Sequence, residues 1–128
     1  MSETVDRFAA MLSEKIRAYR MDDYLKNYAP KHTPEQRAAY DQIVDRDREV
    51  KVKPGKKYIK IDVGESGKFM LTPEGDLLFI KAYGVPDPRK NFGQLAAIVA
   101  ADFDWDGYSI VRKGSGLRSA YGFAGKVA

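Results

Sequence analysis

The chain has 128 residues and a formal net charge of +4, from 22 Lys and Arg against 18 Asp and Glu. At 44% hydrophobic and 31% charged residues it is too apolar for a disordered chain and too polar for a membrane protein. It contains no cysteine and a single histidine, which excludes disulfides, thiolate nucleophiles and multi-histidine metal sites. Because the first residues are acidic and do not resemble a secretory signal, we expect a cytoplasmic location and no membrane partner.

The periodicity of the chain predicts one α+β domain over residues 1–128, with a helical part over residues 1–49. Apolar residues from Val5 to Tyr19 recur at steps of three and four, which places them on one face of a first helix. Asp22-Asp23 is a candidate break in it. A second helix is expected from Thr33-Pro34-Glu35-Gln36 to about Glu49, because this start combines a cap residue, an N-terminal proline and a capping-box glutamine.

Alternating apolar residues predict an antiparallel meander of three or four strands within residues 50–112. The turn residues fall between three strands, which we expect at Tyr58–Val63, Lys68–Thr72 and Leu77–Tyr83. The first of these alternates cleanly and is expected to be an edge or half-exposed strand, whereas the third is apolar throughout and is expected to be covered on both faces.

The chain after the third strand is predicted to contain one short buried helix and a last strand. The expected order is a loop stiffened by two prolines, the helix, a second loop and the strand: Gly84–Asn91, Gln94–Ala101, Asp102–Gly107 and Tyr108–Arg112. Residues 113–128 are basic and rich in glycine and follow no periodic pattern. We expect this tail, at least from Gly116, to contribute little to the packed domain.

One part of the sequence resembles a known group of proteins. The stretches that carry the resemblance are Tyr58–Met70, Gly75–Leu77, Ile80–Val85 and Gly93–Leu95. They are similar to a core that recurs in small uncharacterised proteins of bacteriophages and plasmids. The resemblance implies an accessory role in the cytoplasm of a host cell, and it implies no activity and no catalytic residue.

Three segments have a weak likeness to chemical sites. Asp102, Asp104 and Asp106 are spaced like the opening of a calcium loop, but Lys113 stands where the bidentate glutamate is needed. Gly64–Phe69 resembles a phosphate-binding loop with too short a spacing. His32 directly precedes a helix without any nucleophile motif. We interpret these as an Asp-rich turn, a β-turn and a loop histidine, and we predict no cofactor, no metal and no catalytic residue.

Tyrosines on the two helices allow two interpretations. The residues are Tyr19, Tyr24, Tyr28 and Tyr40. They could form a platform on which a ligand stacks, but packing between the helices is favoured, because tyrosines at helical spacing are more often buried in a core or interface.

The positive charge is concentrated in two segments that contain no acid, residues 50–60 and residues 112–128. Lysines neutralise phosphates and aromatic rings stack on unpaired bases, so the segments suit single-stranded nucleic acid. The candidate residues are Lys51, Lys53, Lys56, Lys57, Tyr58, Lys60, Arg112, Lys113 and Arg118. The alternative is that these lysines protect an edge strand from pairing with another sheet.

The sequence therefore favours a non-enzymatic accessory protein of a mobile genetic element that acts by binding a host protein. Binding of single-stranded nucleic acid through the two basic segments is the alternative function.

Overall fold

The computed structural model describes residues 2–113, and of Ser2 it describes the backbone only. Helix α1 spans Ser2–Asn27 and continues through Asp22-Asp23 without the expected break. A 3-10 turn, Ala29–Lys31, leads to helix α2 at Pro34–Asp47, which ends two residues before the expected position. Its capping box is formed as predicted, with Thr33 accepting from the Gln36 amide. The short third helix α3 spans Leu95–Ala101.

Five strands form one antiparallel sheet whose order follows the chain. They are β1 Val50–Pro54, β2 Ile59–Val63, β3 Ser66–Leu71, β4 Asp76–Ala82 and β5 Val85–Gln94. Two further strands, β6 Phe103–Trp105 and β7 Ile110–Arg112, form a separate antiparallel ribbon. The α+β class and the short helix after the meander are confirmed.

The core lies between one face of the sheet and helix α1. The apolar stripe of α1 packs on residues that alternate along β2, β3 and β4, and Phe8 is in edge-to-face contact with Phe69. Helix α2 contacts α1 through ring stacking of Tyr40 on Tyr24, so α1 is the layer between α2 and the sheet. All of Leu77, Leu78 and Phe79 are buried, as expected of the third predicted strand.

Two strands of the sheet were not predicted. Val50–Pro54 is strand β1, and it makes β2 an interior strand, so of the two alternatives for Tyr58–Val63 the edge position is wrong and the half-exposed strand remains. The expected loop Gly84–Asn91 is also wrong, because most of it belongs to β5. Strand β5 lies at the other edge of the sheet and has irregular register, which are the two settings in which a strand tolerates prolines.

The last predicted strand pairs with a partner that was expected to be a loop. Residues Phe103–Trp105 form β6, and Ile110–Arg112 pairs with it and not with the meander. Phe103 is fully buried against Phe8, and Trp105 packs at the edge of the core. The tail from residue 114 onward, including Arg118, lies outside the described residues. None of the helices within residues 2–113 has the length and apolar content needed to cross a membrane.

Candidate binding surface

The sheet face that points away from α1 carries a group of charged and aromatic side chains. The β1–β2 register pairs Lys51 with Asp62 and Lys53 with Lys60, and directly paired residues share a face. The intervening apolar residues, such as Val52 and Ile61, point to the core. We call Lys53, Lys60, Asp62 and Tyr83 the lysine–tyrosine face.

Asp62 is the buried centre of this face, with 4% of its surface exposed. Its Oδ2 lies 3.1 Å from Nζ of Lys53 and accepts a hydrogen bond of 3.3 Å from the hydroxyl of Tyr83. Lys53 also donates to the Tyr83 hydroxyl, at 3.4 Å. These bonds, first to Asp62 and then to Tyr83, raise the pKa of Lys53, which therefore keeps its positive charge.

Tyr83 is held in place although 55% of its surface is exposed. Nζ of Lys60 lies 4.8 Å from the centre of its ring, within the range of a cation–π interaction. The ring also crosses the backbone of Gly67, where an added Cβ would come within 2.7 Å of Tyr83 Cδ1. Glycine at position 67 therefore leaves the space in which the ring lies.

The structure divides the predicted basic residues into paired and unpaired ones. Lys51 lies 3.6 Å from Glu65, and Lys113 lies 2.7 Å from Asp102, so acids outside the basic segments neutralise them as Asp62 neutralises Lys53. Within residues 2–113, no ion pair involves the other three lysines of the first segment, which are Lys56, Lys57 and Lys60.

Two of these three lysines lie beside tyrosine rings near the turn of the β1–β2 hairpin. Lys56, Lys57 and Tyr58 form the turn between these strands, and Nζ of Lys57 lies 5.4 Å from the centre of the Tyr58 ring. We call these three residues the hairpin tip. The tip and the lysine–tyrosine face are continuous along the hairpin, because Lys53 and Lys60 are the paired residues next to the turn on the outer face.

The two basic segments do not come together in the described part of the chain. Lys113 follows β7, whose ribbon packs on the α1 side through Phe103 and Phe8, whereas Lys53 and Lys60 point to the opposite face of the sheet. Arg112 is an exposed residue of β7. A single groove that contains both segments is therefore not formed by residues 2–113.

The Asp-rich segment is used within the protein. Asp102 binds Lys15 through Oδ1 at 2.9 Å and Lys113 through Oδ2 at 2.7 Å, and these two lysines, Lys113 first, hold its pKa far below the ordinary value. Asp106 accepts from the amides of Tyr108 and Ser109 and closes the turn of the ribbon. Among residues 2–113, no cluster of His, Asp and Glu has an arrangement suited to a metal ion.

The remaining candidates have structural roles. Gly64 and Glu65 are the tight turn between β2 and β3, with Gly64 at a φ of 58°. Nδ1 of His32 and the hydroxyl of the buried Tyr24 share a hydrogen bond of 2.7 Å. The ring of Tyr24 also stacks on that of Tyr40, with 3.9 Å between the ring centres. The interpretation as helix packing therefore holds for Tyr24 and Tyr40.

The sequence interpretation missed Asp62 and Tyr83, which organise the face. Asp62 breaks the otherwise basic and apolar alternation of its strand, which is a signal that could have been used. The position of Tyr83 has no such signal, since it depends on how the chain turns back after β4.

Comparison of the chain with protein-family models, with curated proteins and with solved structures gave no match.

Proposed function

We propose that this chain is a non-enzymatic accessory protein of a mobile genetic element, acting in the host cytoplasm by binding a host protein through the lysine–tyrosine face. The resemblance to phage and plasmid proteins supports the accessory role. The observation that supports the surface is Tyr83, a half-exposed ring that lies over Gly67 and beside Lys60. Asp62 holds both its hydroxyl and the neighbouring Lys53.

A tyrosine held in this way suits a protein interface. Tyrosine is enriched among the residues that carry most of the binding free energy of interfaces. A ring that is ordered before binding loses little further conformational freedom when a partner covers it. Val85, 47% exposed, adds apolar surface two residues away, and the lysines around the ring favour an acidic partner.

Affinity capture from nuclease-treated bacterial lysate, read by quantitative mass spectrometry, tests this proposal with Tyr83→Ala and Tyr28→Ala as a matched pair. Tyr28 is exposed to a similar extent, 52%, but lies at the end of α1. We expect a host protein to be retained by the wild type and by Tyr28→Ala. We expect Tyr83→Ala to weaken its binding by about 2 kcal/mol, close to thirtyfold. Equal retention by all three proteins would rule out this surface.

A second candidate function, binding of single-stranded nucleic acid, has its own observation. Three lysines form no ion pair within residues 2–113: Lys56, Lys57 and Lys60. Lys57 lies beside the ring of Tyr58 and Lys60 beside the ring of Tyr83. Free ammonium groups release counterions from phosphates, and exposed rings stack on bases.

Fluorescence anisotropy with a labelled oligonucleotide at two salt concentrations tests the second candidate. If it is correct, binding weakens with salt at a slope of roughly −0.7 per phosphate contacted. Changing Lys56, Lys57 and Lys60 to Gln should flatten this slope, and Tyr58→Ala should cost about 1 to 3 kcal/mol.

The matched control removes the same amount of charge elsewhere, at three exposed lysines: Lys26, Lys31 and Lys81. If this control weakens binding as much as the change of Lys56, Lys57 and Lys60 to Gln, net charge alone accounts for the affinity. No binding by the wild type at low salt would leave the host-protein proposal as the sole candidate.

A further inference from the structure

Lys68 lies beneath three aromatic rings on the α1 side of the sheet. It follows Gly67 at an irregularity in the β2–β3 register, where Asp62 pairs with Gly67 and Ile61 pairs with Phe69. Gly67 lies under Tyr83 on the outer face, and the extra residue leaves Lys68 on the same face as its neighbour Phe69, near Phe79.

The rings around the Lys68 ammonium come from three different parts of the chain. Phe79 belongs to β4, Trp105 to β6, and Tyr108 to the turn of the ribbon, and we call these three residues the aromatic cage. Nζ of Lys68 lies 3.8 Å from the ring centre of Tyr108, 5.7 Å from that of Phe79 and 5.9 Å from that of Trp105. All three distances fall within the roughly 6 Å range of cation–π attraction.

The ammonium is held by the rings without a close anion. Among the described residues no carboxylate lies within ion-pair distance of Lys68, and no acceptor for its N–H groups is found. Burial lowers the pKa of Lys68, and the more distant charge of Asp106 opposes this effect only in part. The Lys68 ammonium is thus placed where its three hydrogen-bond donors meet aromatic rings and no acceptor of the described residues.

We propose that the aromatic cage is a binding site for alkylated ammonium groups, such as a methylated lysine or a quaternary ammonium, and that Lys68 is its built-in occupant. Such groups keep the positive charge that the rings attract, and they carry no N–H donors, for which the rings provide no acceptor. The position of Lys68 Nζ marks where the cation of a ligand would lie.

The cage is open to a ligand from outside. Tyr108 is 64% exposed, and Lys68 itself is only partly buried, so both can move without opening the core. Lys68 is attached through a flexible four-carbon stem, which can leave the cage when a better cation enters. This site is on the other side of the sheet from the lysine–tyrosine face, so the two proposals fail or succeed separately.

Titration with tetramethylammonium tests the cage, because Trp105 is the single tryptophan of the chain and its fluorescence reports on this site alone. Lys68→Ala vacates the cage. We expect saturable quenching of the variant, and about tenfold weaker binding by the wild type if Lys68 leaves the cage about one tenth of the time. tert-Butanol, a neutral molecule of similar size, should give no saturable change.

Two further variants locate the effect. Lys90 lies 5.8 Å from the ring centre of Phe79 and faces no second ring among the described residues, so Lys90→Ala should behave like the wild type. Tyr108→Ala added to Lys68→Ala should abolish the binding, since it removes the ring nearest to the cation. If folded Lys68→Ala shows no saturable quenching, or if it binds no better than the wild type, the proposal is wrong.

If Lys68→Ala does not fold, a chemically alkylated cysteine variant at position 68 tests the proposal instead. The chain has no cysteine, so Lys68→Cys introduces a single thiol. Its thiolate sulfur displaces bromide from (2-bromoethyl)trimethylammonium and forms one S–C bond, which gives a trimethyl-lysine analogue. 2-Bromoethylamine gives the matched unmethylated analogue. We expect the trimethyl form to melt at or above the temperature of the unmethylated form, and a fall of several degrees would overturn the proposal.

Discussion

The carboxylate of Asp62 lies 3.1 Å from the ammonium of Lys53 across the diagonal of the β1–β2 pair, and the two groups differ greatly in exposure. The side chain of Asp62 is 6% exposed and that of Lys53 is 52% exposed. A buried anion thus orients a lysine and a tyrosine hydroxyl that remain accessible from solvent. This arrangement fixes the groups of the lysine–tyrosine face before any partner binds.

Asp62→Ala should lower the free energy of unfolding by about 1 to 2 kcal/mol, because the Tyr83 hydroxyl and the Lys53 ammonium lose their acceptor. The loss is limited because water still solvates part of the exposed lysine. Urea unfolding measures this. Glu65→Ala is the control, since Glu65 is 92% exposed in its pair with Lys51 and should cost less than about 0.5 kcal/mol. Equal losses in the two variants would show that burial of Asp62 adds nothing.

Asp102→Asn should flatten the loss of stability in acid. Because Lys113 and Lys15 lower the pKa of Asp102 in the folded state, the ionised group stabilises the fold above its unfolded pKa of about 4. This contribution, about 1 kcal/mol for partly exposed partners, is lost as the pH falls from about 4 toward the lower folded pKa. Asparagine has the same shape as aspartate, so the strained backbone at this position, with a φ of 63° and a ψ of 174°, is the same in both proteins.

Thermal melts of wild type and Asp102→Asn between pH 5 and pH 2 measure the effect. Asp22→Asn is the control, because Asp22 forms an exposed pair with Lys26 within α1 and should leave the acid limb of the wild type unchanged. If the difference in melting temperature between the wild type and Asp102→Asn stays constant across this pH range, the prediction is wrong.

Calcium should not bind tightly to the Asp-rich segment. Asp102 is bound by two lysines, and Asp106 accepts two backbone hydrogen bonds, so neither is available without breaking contacts that hold the ribbon. Isothermal titration calorimetry at micromolar protein should record no binding heat. A dissociation constant in the micromolar range would contradict this prediction and point to a metal-dependent function.

Removal of residues 116–128 should change the melting temperature by less than about 2 °C. Within the described residues the main apolar cluster is assembled from residues between Val5 and Ile110, and the tail follows no periodic pattern that would add to it. Differential scanning calorimetry of the full and shortened chains provides the comparison. A loss of several degrees would mean that the tail contributes to the packed domain.

The sequence predicts the elements that follow a simple period and have standard ends. The capping box at Thr33 and the apolar stripe of α1 are examples, because local spacing alone determines them. Strand β5 was missed because Pro86 and Pro88 usually exclude a strand, and only an edge position makes them acceptable. Which strand lies at an edge is a property of the whole sheet and cannot be read from one segment.

The candidate site could be predicted only in part for a related reason. The lysines of residues 50–60 are visible in the sequence, but their partners Asp62 and Glu65 lie outside that segment and reach them through strand pairing. Whether a lysine is free or neutralised therefore depends on register. The aromatic cage joins residues as far apart as Lys68 and Tyr108, and no local pattern reports such a contact.

The order of the strands in the sheet, which is also their order in the chain, has a consequence for synthesis on the ribosome. Each strand can pair as soon as it emerges, because short loops cost little closure entropy. Helix α1 emerges first, but its stripe from Val5 to Ile16 packs on residues up to Phe79 and beyond. At 5 to 20 residues per second, this apolar stripe waits roughly 3 to 12 s for its partners, and it is the part of the nascent chain that a chaperone would meet.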